Sequence, residues 1–267
     1  MNFNSKRMSV TIKRFIPQNA QINRAYLVIG KKGSCKSTVM LTLLSELCDR
    51  IDYAMAICGT RDGVEKLSRV MPPDVIHTTF DQALFSKIVN TLDRVSKAPG
   101  YSRITGLILD DLGFGRAPFR TDDFRKLLMN GRWLGVFLII TQQYLMDIGP
   151  DLRGNFDYIF AMAETAKKTR QKLYESYFGV FNSFADFDRV FTQVTAKKGR
   201  ALVLDTTNSS NLVQDRVFYY DANPDVRDFV VGNERFRQHL SRVRIQKQEK
   251  KKSEQVVDED MDEALVI

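Results

Sequence analysis

The chain has 267 residues, 43% of them hydrophobic, with 40 Lys/Arg against 32 Asp/Glu for a net charge of +8. That length suits one large α/β domain with appendages, no run reads as a membrane span, and the polar start MNFNSKRMSV lacks a signal peptide's apolar core. Cys35, Cys48 and Cys58, with His77 and His239, have neither disulfide nor zinc spacing, so a reducing intracellular compartment is expected.

In chain order, SVTIKRF alternates and is expected to form an edge hairpin within an N-terminal extension, residues 1–24. AYLVI (25–29) is apolar, β-branched and aromatic, as in a buried strand. Gly30 ends it, and STVMLTLL (37–44) reads as a helix with an apolar face. Between them lie Lys31, Lys32, Gly33, Ser34 and Cys35, small or basic residues whose backbone N–H groups can converge on an anion at a helix N-terminus. GKKGSCKST, residues 30–38 from Gly30 to Thr38, departs from the phosphate-loop pattern G-x-x-x-x-G-K-[ST] only at Cys35. Lys36 is placed to reach β- and γ-phosphates and the Ser37 hydroxyl to ligate Mg²⁺. The same letters also suit a solvated basic turn.

IDYAMAICGT (51–60) reads as a second buried strand, DVIHTTF (74–80) as a short one, and 81–98 as a helix. GLILDD (106–111) is an apolar strand ending in two acids. Asp110 is the candidate Mg²⁺ ligand opposite the Ser37 hydroxyl, and Asp111 can polarise an attacking water. A helix follows at 121–130, with Thr121 as cap and Asp122 and Asp123 in its first turn. LIITQQ (138–143) is a strand ending in an amide. Gln142 would sit beside the acids if its strand neighbours GLILDD, and could orient water or sense a γ-phosphate. FDYIFAMA (156–163) is the next strand, and 164–179 a helix ending on Gly179. RVFTQVT, RALVLDTT and RVFYYDA are then expected as three strands. Strands alternating with helices predict a three-layer α/β domain on a mainly parallel sheet, residues 25–233.

Residues 234–252 carry eight Lys/Arg against two Glu, and 253–267 carry six acids and no base. The two blocks cancel, so the +8 belongs to residues 1–233, which suits a polyanionic partner. Residues 234–267 are expected as a helical or disordered tail.

The set GKKGSCKST, LILDD, GRWLGVFLIITQQ and DLRGNFDYIF resembles the DNA-packaging ATPases of large DNA viruses, of poxvirus and giant-virus type, within the FtsK–HerA class of ring-forming motors. The resemblance covers about residues 25–222 and implies a RecA-like P-loop NTPase fold. It further implies ATP and Mg²⁺ as ligands, double-stranded DNA as partner, a homo-oligomeric ring, and a capsid or portal component that docks it. The workplace would be the host-cell cytoplasm or viral assembly site, with the virion as the alternative. The class arginine finger, acting on a neighbouring subunit's ATP, matches Arg132. The strand-end glutamine matches Gln142, and the arginine of DLRGN matches Arg153. Cys35 departs from the loop's second glycine, and Asp111 stands where many members carry glutamate. For Arg132 a helix C-terminal cation is the plainer role, and Arg153 can contact DNA or pin its own loop. Two other functions use the same loop. A nucleoside or small-molecule kinase leaves Arg132 and Gln142 unexplained, and a non-catalytic DNA-binding scaffold would tolerate Cys35. No N-K-x-D guanine motif occurs.

Overall fold

The computed structural model describes residues 2–4, 9–112, 118–143 and 148–246. The acidic half of the expected tail, 253–267, lies outside the described residues. The strands are β1 (Asn2–Asn4), β2 (Ser9–Thr11), β3 (Lys13–Arg14), β4 (Ala25–Ile29), β5 (Tyr53–Cys58), β6 (Ile76–His77), β7 (Thr105–Asp110), β8 (Val136–Gln142), β9 (Tyr158–Ala161), β10 (Arg200–Asp205) and β11 (Val217–Asp221). The helices are α1 (Lys36–Leu47), α2 (Arg61–Ser68), α3 (Gln82–Ser96), α4 (Asp122–Asn130), α5 (Pro150–Arg153), α6 (Lys167–Ser176), α7 (Phe184–Val194) and α8 (Val213–Arg216).

Among the described residues, β1 and β2 form a hairpin and nine strands form one sheet, in the order β3-β11-β10-β9-β4-β8-β7-β5-β6. The run β9-β4-β8-β7-β5-β6 is parallel throughout, while β10 is antiparallel to both β9 and β11. The central strands are apolar at nearly every position because both faces are covered. Their alternate residues still part between two cores. Leu27, Leu107, Leu138, Ile140 and Ile159 pack with Phe85, Phe124 and Phe187 from α3, α4 and α7. Tyr26, Val28, Ile108, Phe137 and Ile139 pack with Val39, Met40 and Leu43 of α1 and Leu67 of α2. This is the three-layer α/β architecture that the alternation of elements implies.

Two local expectations change. RVFTQVT (189–195) is not a strand; its residues belong mostly to α7. Phe187, Val190, Phe191 and Val194 recur at helical spacing and are all buried, and the Ser183 side chain caps the helix by accepting from the Asp186 N–H (3.1 Å). The run DVIHTTF yields only the two-residue β6 behind a 3₁₀ turn. In addition, α6 stops at Ser176, three residues before Gly179. The helix α2, which no expectation covered, is capped by Thr60 accepting from the Gly63 N–H (3.2 Å). Thr121 and Asp81 likewise cap α4 and α3 through Phe124 and Leu84.

The core reaches past residues 25–233 at both ends. Ile12 and Phe15 are buried, and β3 pairs with β11. Residues 234–246 are helical; Phe236 meets Tyr53 edge-on at 5.7 Å, Leu240 packs on the α1-side core, and Arg244 donates to Asp74 (3.0 Å from Nε). The first turns of the expected tail are therefore part of the folded body.

Phe187 is fully buried, with rings of Tyr174, Phe178, Phe181 and Phe191 at 5.1 to 5.7 Å. Phe187→Ala is expected to lower unfolding free energy by about 3–5 kcal/mol, measured as a lower urea midpoint at unchanged slope.

Candidate nucleotide site

Because β4, β8, β7 and β5 run parallel, their C-terminal ends share one edge of the sheet, and each delivers polar residues there. This is where ligands lie in open α/β sheets. The loop 30–35 leaves β4 and enters α1. Gly30 donates to the Gln142 carbonyl (3.1 Å), extending the β4–β8 pairing, and a side chain on Gly30 would strike Ser34 and Met162. The Lys31 carbonyl draws the loop together by accepting from the Ser34 N–H (3.2 Å), Ser34 Oγ (2.7 Å) and Lys36 Nζ (3.1 Å). Gly33 and Cys35 both take left-handed backbone, at φ 78° and 70°. Cys35 thus has the conformation in which the motif normally places glycine, and it does so as the residue that opens α1.

Lys36 is buried, and burial lowers its pKa against the opposing pull of Asp111 and Asp110. Asp110, at the end of β7, is 2% exposed. Its Oδ1 accepts from Thr141 Oγ1 of β8 (2.5 Å) and its Oδ2 from Cys58 Sγ of β5 (3.3 Å). A side chain at Gly63 of α2 would collide with that carboxylate and with Cys58. Burial raises the Asp110 pKa, although the Thr141 and Cys58 hydrogen bonds oppose the shift. Asp111 turns out of the strand at φ 43°, its N–H donating to Thr141 Oγ1 (3.0 Å).

These groups line one cavity of about 870 Å³, which takes in Lys32, Gly33, Cys35, Lys36, Ser37, Thr38, Asp110 and Asp111. Thr60, Asp62, Lys66, Gln143 and Lys198 also line it, and no expectation named them. A hydroxyl and a carboxylate are hard oxygen donors of the kind Mg²⁺ takes alongside substrate phosphates and water. No cluster of three His, Cys, Asp or Glu suited to a metal exists among the described residues. The Ser37 hydroxyl and the Asp110 carboxylate are the donors that would suit Mg²⁺ beside a phosphate ligand.

The glutamine assignment needs correction. Gln142 is buried in β8, and strand alternation assigns it to the Leu138–Ile140 face, away from α1. The amide that reaches the acids is the next one: Gln143 Nε2 donates to Asp111 Oδ2, and Gln143 lines the cavity. The expectation named Gln142 alone, and the face of the strand, which the pattern LIITQQ does not reveal, separates the two.

Arg132 and Arg153 are not in this cavity. Arg132 follows α4 and precedes β8, so it sits at the opposite edge of the sheet. The seven residues of β8 separate it from the loop by roughly 23 Å at about 3.3 Å per residue. Its side chain is 55% exposed and paired with buried Asp157. Asp157 also accepts from the Ala25 N–H (2.9 Å) and pairs with Arg24 (3.6 Å). Arg153, in α5, donates to the Ile148 carbonyl (3.0 Å) and to Ser176 Oγ (3.2 Å), which ties α5 to α6.

The loop, the buried acid opposite it and the mainly parallel sheet define a P-loop NTPase fold of RecA-like kind. No protein-family model matches the chain. It belongs, however, to the same family as the uncharacterized protein 088R of Invertebrate iridescent virus 3, 30% identical over 209 residues that span 77% of this chain and 79% of the relative. Uncharacterized protein 075L of Invertebrate iridescent virus 6 is 28% identical over 77% of this chain and 80% of its own. Among solved structures, the genome packaging NTPase B204 from Sulfolobus turreted icosahedral virus 2, in complex with ATP-gammaS, superposes with a TM-score of 0.55 at 18% identity. The match covers 76% of this chain and all of that one. ATPases 2 and 3 of EssC from Geobacillus thermodenitrificans superpose at 0.54 and 15% identity, over 76% of this chain and 40% of that one. The resemblance to viral packaging and FtsK-type ATPases is thus borne out: the relatives are proteins of large DNA viruses, and the fold is the one those ATPases share. No helix among the described residues is long and apolar enough to cross a membrane.

Because Cys35 holds a left-handed conformation that costs an L-residue about 1–2 kcal/mol, Cys35→Gly is expected to keep nucleotide binding with stability equal or higher by up to about 1 kcal/mol. Cys35→Val, β-branched at the same angles, is expected to be the less stable of the two. Thermal unfolding and nucleotide titration of both variants check this.

Proposed function

We propose that this chain is an ATP-driven translocase of double-stranded DNA that packages viral genomes into capsids as a homo-oligomeric ring. One observation carries the reading. Lys36, Ser37, Asp110, Asp111 and Gln143 converge on one cavity, while a half-exposed arginine, Arg132, stands at the far edge of the same sheet. An arginine there cannot serve its own cavity. In this reading it serves a neighbour's.

In this mechanism the loop residues 30–38 cradle the triphosphate of ATP through backbone N–H groups and the α1 N-terminus, with Lys36 on the β- and γ-phosphates. Ser37 and Asp110 would hold Mg²⁺, which supplies charge neutralisation on the phosphate oxygens when bound. Asp111, oriented by Gln143, accepts a proton from the attacking water. Arg132 of the adjoining subunit exchanges its Asp157 partner for the γ-phosphoryl group, and Asp157 keeps Arg24 and the Ala25 N–H. Arg153 holds α5 in place. Trp133, beside Arg132, is 85% exposed and would lie in the same subunit contact. Hydrolysis then depends on assembly, which suits a ring. DNA would be gripped mainly through its phosphates, without sequence preference, by the basic residues 1–233. A capsid or portal component would dock the ring at the site of viral assembly in the host cell.

The deciding measurement is ATP turnover with and without double-stranded DNA. A rate stimulated by DNA is expected; turnover indifferent to DNA at every salt concentration would sink the translocase. Lys36→Ala is expected to abolish turnover. Asp111→Asn should keep ATP binding while losing roughly 10²-fold or more in rate, and Gln143→Ala should slow turnover more than Gln142→Ala does.

A second test separates action in trans from action within one chain. Arg132→Ala alone is expected to lose about 10³-fold or more in turnover while still binding ATP. Mixed with Lys36→Ala, it should recover part of the activity, increasingly at higher protein concentration. Mixed assemblies that stay inactive, or normal turnover by Arg132→Ala, would remove Arg132 from the role.

A further inference from the structure

A second cavity, of about 660 Å³, adjoins the first and shares Thr38 and Lys66 with it. One wall is α1, where Leu41 follows Thr38 by one turn. Lys66 of α2 and Val70 just beyond it form another. The third is the segment 223–230, which presents Val226 and Phe229. That segment is tied to α1: Thr42 Oγ1 accepts from the Asn223 N–H (3.0 Å) and donates to its carbonyl (3.1 Å). Beyond it, the Val231 N–H donates to the Val70 carbonyl (2.8 Å). The cavity is thus a built space against the helix that opens the phosphate loop.

Thr38 lines both cavities, so a nucleotide whose phosphates occupy the first has room for its ribose and base along α1 in this one. The polar side chains that line it are largely engaged elsewhere. Lys66 pairs with Asp62 at 2.5 Å, Arg69 with Glu65 at 2.8 Å and Arg227 with Asp49 at 3.4 Å. The Asn223 side chain exchanges hydrogen bonds with the Asp225 backbone, 3.0 Å in each direction. Asp228 faces water, so a hydrogen bond from it to a base replaces one to solvent and discriminates little. Apart from Thr38, where the two cavities meet, what remains for a base is the apolar surface of Leu41, Val70, Val226 and Phe229. Pockets of that kind separate similar ligands weakly, whereas a site built to hydrogen-bond its ligand rejects the wrong one by 10⁴-fold or more.

We infer that this cavity holds the nucleobase by apolar contact without reading its edge, so that the chain accepts purine nucleoside triphosphates without regard to the base. The inference rests on the phosphate-loop reading above and concerns the other end of the ligand. The test is isothermal titration of the full chain, in magnesium-containing buffer, with ATP, GTP and inorganic tripolyphosphate. The dissociation constants for ATP and GTP are expected to agree within about tenfold. Val226→Trp, which fills the cavity from its rim, should weaken both nucleotides at least tenfold and leave tripolyphosphate unchanged. Phe229→Ala should weaken both nucleotides alike and guards against a misfolded tryptophan variant. A wider gap between ATP and GTP, or Val226→Trp and Phe229→Ala proteins that bind both nucleotides normally, overturns the inference. Wild-type protein that binds no tripolyphosphate overturns the phosphate-loop reading itself, which separates the two failures.

Discussion

The site is organised around one buried carboxylate. Asp110 ends β7 at 2% exposure, where an unpaired charge is costly. The neighbouring strands supply what offsets that cost: Thr141 from β8 and Cys58 from β5 each donate to one oxygen, and Gly63 leaves the volume open. The same burial raises the Asp110 pKa and lowers that of Lys36, since both ions lose water at once. A carboxyl raised in this way favours the fold while protonated, and that contribution is lost as pH rises through its folded value. Burial thus works against the charged form of both groups, while the attraction between Lys36 and Asp110 works the other way. Positions that look structural, such as Cys58 and Gly63, matter here because they let a carboxylate exist at that depth.

The opposite edge of the sheet has its own buried acid. Asp157 lies where β9 begins and gathers the Ala25 N–H, Arg24 and Arg132. It fixes the entry to β4, the strand that carries the phosphate loop. It also holds Arg132 in a turn whose next residue, Trp133, is almost fully exposed. The two edges are joined by the parallel strands, β4 and β8 among them, and by α1, which runs from the phosphate loop back toward Ala20.

Much of this was legible in the residues. Apolar runs bounded by glycine or acids mark the central strands, and Thr121 and Asp81 announce their helices through local capping chemistry. The loop is readable at Cys35 as well, because a helix N-terminus and converging N–H groups are local properties of the backbone. RVFTQVT misleads because its β-branched and aromatic residues satisfy a strand pattern over seven residues. The helical period appears only when Phe184 and Phe187 are included in the window. α2 escapes notice because RDGVEKLS is mostly polar and buries only Gly63 and Leu67.

The chain by itself determined its phosphate loop, its paired acids and its central strands, all of which depend on neighbours in sequence and on period. Only the tertiary structure decided which glutamine faces Asp111, because a strand turns alternate side chains to opposite faces and the β8 register sets the choice. It alone separated Arg132 from Arg153, placing the first exposed at the far edge and the second inside a contact between two helices. It alone brought Cys58 to Asp110 and the 223–230 segment to α1, pairs remote in sequence that meet because strand pairing and helix packing, rather than local propensity, fix where distant residues lie.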